Sequence, residues 1–289
     1  MKKLLAFAVG AAVSIGAYAA PAPTSLPAGP IYLKFSGQEQ IAINGATTRA
    51  GTNEINWGVI LVSTAEKGDV NTPHDAIDPN GDIFFVNGQQ GQITGMFYGV
   101  QAGSTSATNP FPATGGYLDL YWRNTDTMTK SSVSNTSINP SIRCGESCAT
   151  GFTEGTFLAR IMFDTGMDTS NPTNTIVGDQ VPSSNGFTGN ADSYGSVVTD
   201  AMVDGKTGLW ANQLNSDWFT SYLGQRDLRF KNSYNYNPLW NGGSDILGAR
   251  IDDPGQAFAL PEPGALSLMG LAMVGMGAAL RRREKKSAK

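Results

Sequence analysis

The sequence predicts an all-β protein, a β-sandwich or jelly-roll-like fold, with one short amphipathic helix near residues 209–223 and a single transmembrane helix at the C-terminal end. Three observations carry this reading. Apolar runs rich in β-branched and aromatic residues recur between Gly, Asn and Pro turns, as in chains built from many short strands. Asn-Gly stands at 44–45 and again at 87–88, each time behind such a run, where the tolerance of both residues for positive φ closes a two-residue hairpin. One stretch departs from the pattern. Trp210, Leu214, Trp218 and Tyr222 recur every four residues, the spacing of a helix face.

Taken in order, Ile31–Phe35 and Glu39–Ile43 read as strands ending at the Asn44-Gly45 turn. Trp57–Val62 is continuously apolar, as a strand buried on both faces would be. A loop holding Pro73 and Pro79 precedes Ile83–Val86, and Asn87-Gly88 leads into Gln92–Val100. In Tyr117–Trp122, period two puts Leu118, Leu120 and Trp122 on one face and Tyr117, Asp119 and Tyr121 on the other. The polar stretch 124–141 reads as a surface excursion, and Thr156–Phe163 as a strand with Phe157, Ala159, Ile161 and Phe163 facing one way. Residues 164–193, rich in Gly, Asn and Ser, read as a loop or inserted segment, and Gly195–Val203 resumes the strand pattern. Leu209–Leu223 is the expected helix, with Gly224 as its terminator. Phe230–Tyr236 is expected as an edge strand before a linker.

Both ends carry targeting information. Lys2 and Lys3, an apolar stretch from Leu4 to Ile15, and Ala17-Tyr18-Ala19 make a secretory signal peptide, residues 1–19, for cleavage by signal peptidase after Ala19. Eight of the 20 Lys and Arg residues lie in the first 19 residues or after Pro261, against two of the 24 Asp and Glu. Residues 20–260 therefore hold 12 basic and 22 acidic side chains, a charge of −10. So acidic a body excludes nucleic acid as a partner, because the phosphate backbone would repel it. Cys144 and Cys148 are the only cysteines, and in an exported chain so close a pair reads as a local disulfide.

Catalytic chemistry is thin. His74 is the only histidine and sits in a Pro-containing turn, no Gly-x-Ser-x-Gly elbow presents a nucleophile, and nothing selects a carboxylate pair from the acidic residues. No catalytic residue is assigned and no cofactor is expected. Asp78-Pro79-Asn80-Gly81-Asp82 spaces the oxygens of Asp78, Asn80 and Asp82 as calcium ligands could be spaced, although the same residues make a good β-turn. Tyr234, Tyr236 and Trp240, set among asparagines, offer stacking faces beside amides and are candidate glycan contacts, or else aromatics covering the core.

After the body come Pro261-Glu262-Pro263, an apolar run from Ala265 to Leu280, and Arg281, Arg282 and Arg283 at the head of a basic tail. The 16-residue run is marginal as a bilayer span, and the basic tail places this end in the cytoplasm and the body outside. The three parts together resemble the PEP-CTERM sorting signal of Gram-negative bacteria, covering residues 261–289 (motif 261–263, span 264–280, tail 281–289). The resemblance implies export across the inner membrane, transient retention there, processing by an exosortase, and delivery to the cell surface or an extracellular polysaccharide matrix. The expected function is accordingly that of a non-enzymatic surface or matrix protein with a structural or adhesive role in biofilm or floc. A carbohydrate-binding or carbohydrate-cleaving extracellular domain is the alternative.

Overall fold

The computed structural model describes residues 25–72, 76–89, 91–106, 108–132, 149, 151–183, 186–261 and 273. The signal peptide, His74, the Cys144–Cys148 pair, and Glu262, Pro263 and Arg281–Arg283 of the sorting signal lie outside them. So does the expected transmembrane span apart from Met273; no helix among the described residues is long and apolar enough to cross a membrane.

The chain is all-β, as expected. Its strands, in order, are β1 (Gly29–Ala42), β2 (Glu54–Thr72), β3 (Ala76–Val86), β4 (Gln92–Ala102), β5 (Ala113–Arg123), β6 (Thr156–Asp164), β7 (Ile176–Gly178), β8 (Val181–Ser183) and β9 (Gly186–Val197). After these come β10 (Met202–Val203), β11 (Lys206–Thr207), the one-turn helix α1 (Ala211–Leu214), β12 (Phe219–Ser221), β13 (Gly224–Arg226), β14 (Leu228–Tyr236) and β15 (Ile246–Ala259). Eight of the strands form one antiparallel meander in which each pairs with the next: β1, β2, β4, β5, β6, β9, β14 and β15. The last pairs with the first along its whole length, from Gly29↔Ala259 to Ala42↔Ile246. The sheet thus closes into a ring. Its opposing walls face a common core as the layers of a sandwich would, but the connections are those of a meander and not of a jelly roll.

The pleat sorts the residues of the ring. Inward positions on β1 run Ile31, Leu33, Phe35, Gly37, Glu39 and Ile41, while Lys34 points out; Lys67, Asn190, Lys231, Asn235 and Arg250 are likewise exposed. An apolar inside and a polar outside is the reverse of a membrane barrel, whose apolar band faces lipid. Leu118, Leu120 and Trp122 of β5 enter the main core as the alternation predicts. A bulge between Leu120 and Tyr121 shifts the β5–β6 register. Phe157 consequently joins Tyr121 and Ala201 in a separate outer cluster and does not share a face with Ala159 and Ile161.

Trp57–Val62 is buried on both faces, for a reason visible only in three dimensions. Ile60 and Val62 point into the ring. Trp57, Val59 and Leu61 point outward and are covered by Ala149, Phe152 and Trp240. Gln40 ties this cover down: its Oε1 accepts from Trp57 Nε1 at 2.8 Å, and its Nε2 donates to the Trp240 carbonyl at 3.0 Å.

Four sequence expectations need correction. The helix over 209–223 is a single turn, because Asn215, Ser216 and Asp217 favour local turns over helix continuation and Asp217 takes φ +50°. Its four aromatic and aliphatic markers separate accordingly. Trp210 and Leu214 enter the core, Trp218 stacks on Phe258 at 5.5 Å between centroids, and the Tyr222 hydroxyl donates to the Asp168 carbonyl at 2.8 Å. Gly224 lies in the β12–β13 hairpin. Residues 164–193 are not a plain loop but contain β7, β8 and the first two thirds of β9. The strand at 230–236 is no edge, since β14 pairs with β9 on one side and β15 on the other. In place of a linker after it comes β15, the strand that closes the ring.

One end of the ring is stoppered. Trp210 and Leu214 of the α1 turn, with Leu26, pack into the core beside Leu158 and Leu228. Gln213 Oε1 accepts from Leu26 N–H at 3.0 Å, and the Gln213 carbonyl accepts from Leu260 N–H at 2.7 Å.

Candidate functional site

The opposite end is open. Inside the ring lies a cavity of about 70 Å³ to which every one of the eight walls contributes, from Phe35 on β1 through Ile60, Phe97, Leu118 and Phe163 to Ile251 on β15. Beside it, at the open end, lies a second space, the mouth, of about 200 Å³ edged by Ile41, Val100, Phe111 and Ala113. Glu39, Asn56, Ile176, Ala191 and Tyr234 line both spaces and form the neck between them. An eight-stranded ring is about the size at which the interior is either filled by side chains or left with room for one small ligand.

Glu39 is the chemically distinctive group in this neck. It occupies the inward position between Gly37 and Ile41, level with Gly58 on β2 and Ala249 on β15, and is 7% exposed. Asn56 Nδ2 donates to Glu39 Oε2 at 2.9 Å and to the Gln40 carbonyl at 3.1 Å, so the amide is pinned in its orientation. Among the described residues no donor reaches Glu39 Oε1. Burial raises the carboxyl pKa from 4.5 to about 7, and the Asn56 hydrogen bond only partly offsets it. Facing it, Tyr234 donates its hydroxyl proton to the Asp179 carbonyl; burial, together with the charges of Glu39 and Asp179, pushes the phenol up. A second acceptor on the cavity wall, the buried Oδ1 of Asn232, has no hydrogen-bond partner among the described residues. Among the described residues, no Lys, Arg or His lines either the cavity or its mouth.

A structural hub holds the rim. Asp168, 3% exposed, accepts from Asn109 and Asn174 side chains at 2.8 Å each through Oδ2. Its Oδ1 accepts from the Ser170 hydroxyl and from the Ser170 and Asn171 N–H groups. Burial alone would raise its pKa, but the hydrogen bonds from Ser170, Asn174 and Asn109 outweigh that and hold the carboxyl well below its ordinary value. Asn109 Oδ1 in turn accepts from Gly178 N–H at 3.0 Å. The hub thereby anchors β7, and with it Ile176, at the neck.

The sequence-predicted site residues fall elsewhere, with one exception. Trp240 is fully buried in the outer cluster, 6.1 Å from Trp57 between ring centroids. Tyr236 packs on Phe187 and its hydroxyl accepts from Asn241 Nδ2 at 2.9 Å. Neither offers a free ring face to a sugar in solvent, so the aromatics do cover the core. Tyr234, 7% exposed, lines the neck instead. Asp78, Asn80 and Asp82 stand on the exposed β2–β3 hairpin. There Asn80 Oδ1 accepts from Asp82 N–H at 3.0 Å and Asp82 pairs with Lys67 at 2.8 Å. Among the described residues no three His, Cys, Asp or Glu side chains are grouped as a metal ion would need. Pro261 is exposed, two residues beyond the last strand.

Set against family models, curated proteins and solved structures, the chain matches none of them.

Glu39 and Asn232 were legible in principle. Joining Ile31–Phe35 and Glu39–Ile43 into one strand would have placed a lone carboxylate on the inward face, in line with Leu33, Phe35 and Ile41. The polar, glycine-containing middle Ser36-Gly37-Gln38 concealed that continuity.

Proposed function

We propose that this chain is the precursor of an exported, non-enzymatic surface or matrix protein. In this reading it is held in the inner membrane by its C-terminal span, processed by an exosortase, and delivered to the cell surface or to an extracellular polysaccharide matrix. The observation that carries the reading is the order Pro261-Glu262-Pro263, Ala265–Leu280, Arg281–Arg283 directly behind the barrel. The ring begins at Gly29 and ends at Ala259, so removal of residues 1–19 and of the tail would leave every strand in place. A body that is complete between its two addresses suits a processed precursor. Its net acidity suits a soluble role outside the cell, where structural or adhesive work in biofilm or floc needs no catalytic set.

The test is to follow the full chain, carrying an epitope inserted at the exposed Gly205 turn, through cell fractions. The expected pattern is a membrane-held precursor and a shorter product in the surface or matrix fraction, its mass ending near Pro261. Replacing Pro261-Glu262-Pro263 by three alanines should leave the precursor in the membrane. A product of unchanged mass and distribution from that variant would overturn the reading and leave the tail as a plain anchor.

A further inference from the structure

We propose that the open end of the barrel is a binding site for a small, largely apolar molecule that ends in a protonated amine. The proposal stands apart from the sorting signal and rests on the shape and chemistry of the lumen. The space is a cup: stoppered by Trp210, Leu214 and Leu26 at one end and open at the other. Its walls are apolar and aromatic; among the described residues Glu39 accepts a hydrogen bond only at Oε2, and the buried Asn232 Oδ1 has no partner. A buried carboxylate with one free oxygen is costly unless it is paired or hydrogen-bonded, and among the described residues no cationic side chain lines the space. The missing partner is therefore a donor, and a positively charged one recovers most from Glu39.

The rings of Phe97, Phe163 and Phe230 on the cavity wall would favour a cation nearby as well as an apolar body. Above pH 7, where Glu39 is ionised, anionic heads are disfavoured on the same grounds, since they would face two acceptors and no counter-charge. Size sets the scale. Cavity and mouth, about 70 and 200 Å³, have room for a small monoamine and not for a polysaccharide chain.

The experiment titrates the full chain at pH 8.5, where Glu39 is ionised and hexylamine still protonated, with hexylamine, hexanol and hexanoate by calorimetry. Hexylamine is expected to bind at least about tenfold more tightly than hexanol, and hexanoate most weakly. Glu39→Gln keeps shape and hydrogen bonding while removing the charge. It should weaken hexylamine about tenfold and change hexanol by less than about twofold. Ile176→Trp fills the neck and should abolish binding of both, with unchanged near-ultraviolet circular dichroism reporting an intact fold. Equal affinities for the amine, the alcohol and the acid would overturn the proposal. So would amine binding that survives Ile176→Trp in a folded protein, because the ligand would then sit elsewhere.

Discussion

Asn56 Nδ2 donates to Glu39 Oε2 at 2.9 Å inside the barrel, and this is the carboxylate's one hydrogen bond from the protein among the described residues. One bond is too little to offset burial, which is why the carboxyl titrates near 7. The consequence for stability has a definite sign. The folded state holds the Glu39 proton more tightly than the unfolded chain does. Glu39 therefore favours folding most below pH 4.5, and this contribution is lost as pH rises toward and through 7. Tyr234, the other titratable group at the neck, stays protonated across this range, so it does not mask the effect. Glu39→Gln should be more stable than the wild type at pH 8, by up to about 3 kcal/mol, with the advantage vanishing by pH 4. Urea denaturation at a series of pH values measures it, and Asn56→Ala should move the wild-type transition to higher pH.

Asp168 is the opposite case. Five donors converge on its two oxygens, and its folded pKa lies below the unfolded one. Its contribution is present above the unfolded value and is lost only as pH falls through the lower folded value. Asp168→Asn keeps the shape but presents an amide donor to a ring of donors. We expect a loss of about 2–4 kcal/mol that is constant between pH 5 and 8. Denaturation of this variant beside Glu39→Gln would separate the two carboxyls by the pH range in which each acts.

Trp240 gives a direct contrast between the stacking platform read from its neighbours and the buried cover seen in the fold. Its ring is inaccessible and closes the outer cluster over Trp57, Val59 and Leu61. Trp240→Ala should cost about 3–5 kcal/mol and should expose Trp57, with a red shift of its fluorescence. A stable Trp240→Ala protein with unchanged emission would contradict the burial.

What the sequence made legible follows from the range of the forces involved. Period-two alternation is local, so Leu118, Leu120 and Trp122 share a face as expected, and that face enters the core. Both residues of Asn44-Gly45 do take positive φ, 54° and 77°, but they form a turn within the longer β1–β2 connection and do not close the expected two-residue hairpin, since β1 ends at Ala42 and β2 begins at Glu54. The β15 strand was hidden because Asp252-Asp253-Pro254-Gly255 has turn composition, yet tertiary pairing with β1 and β14 keeps it extended. The four-residue period from Trp210 to Tyr222 misled for a related reason. Its members meet three different partners, Tyr222 stays exposed, and only the first two enter the core. Ring closure, which joins residues some 220 positions apart at Ile31↔Ala257, leaves no local signature at all.

That closure yields the last prediction. The 14 residues of β15 pair with β1 on one side and with β14 on the other, and they bring Ile251 and Ala257 into the core. Stopping the chain after Pro261 removes nothing from the ring, and its melting temperature should match that of the full chain within a few degrees. Stopping after Asp245 removes the closing strand and leaves β1 and β14 with unpaired edges, a template for association with other chains. Circular dichroism melts and sedimentation should report a folded monomer-sized body for the first and aggregation or loss of cooperative melting for the second. Cooperative unfolding of the shorter chain would mean that the meander holds without closure. In the expected case any processing of the tail must fall after Ala259, and Pro261 is the first exposed residue that meets this condition.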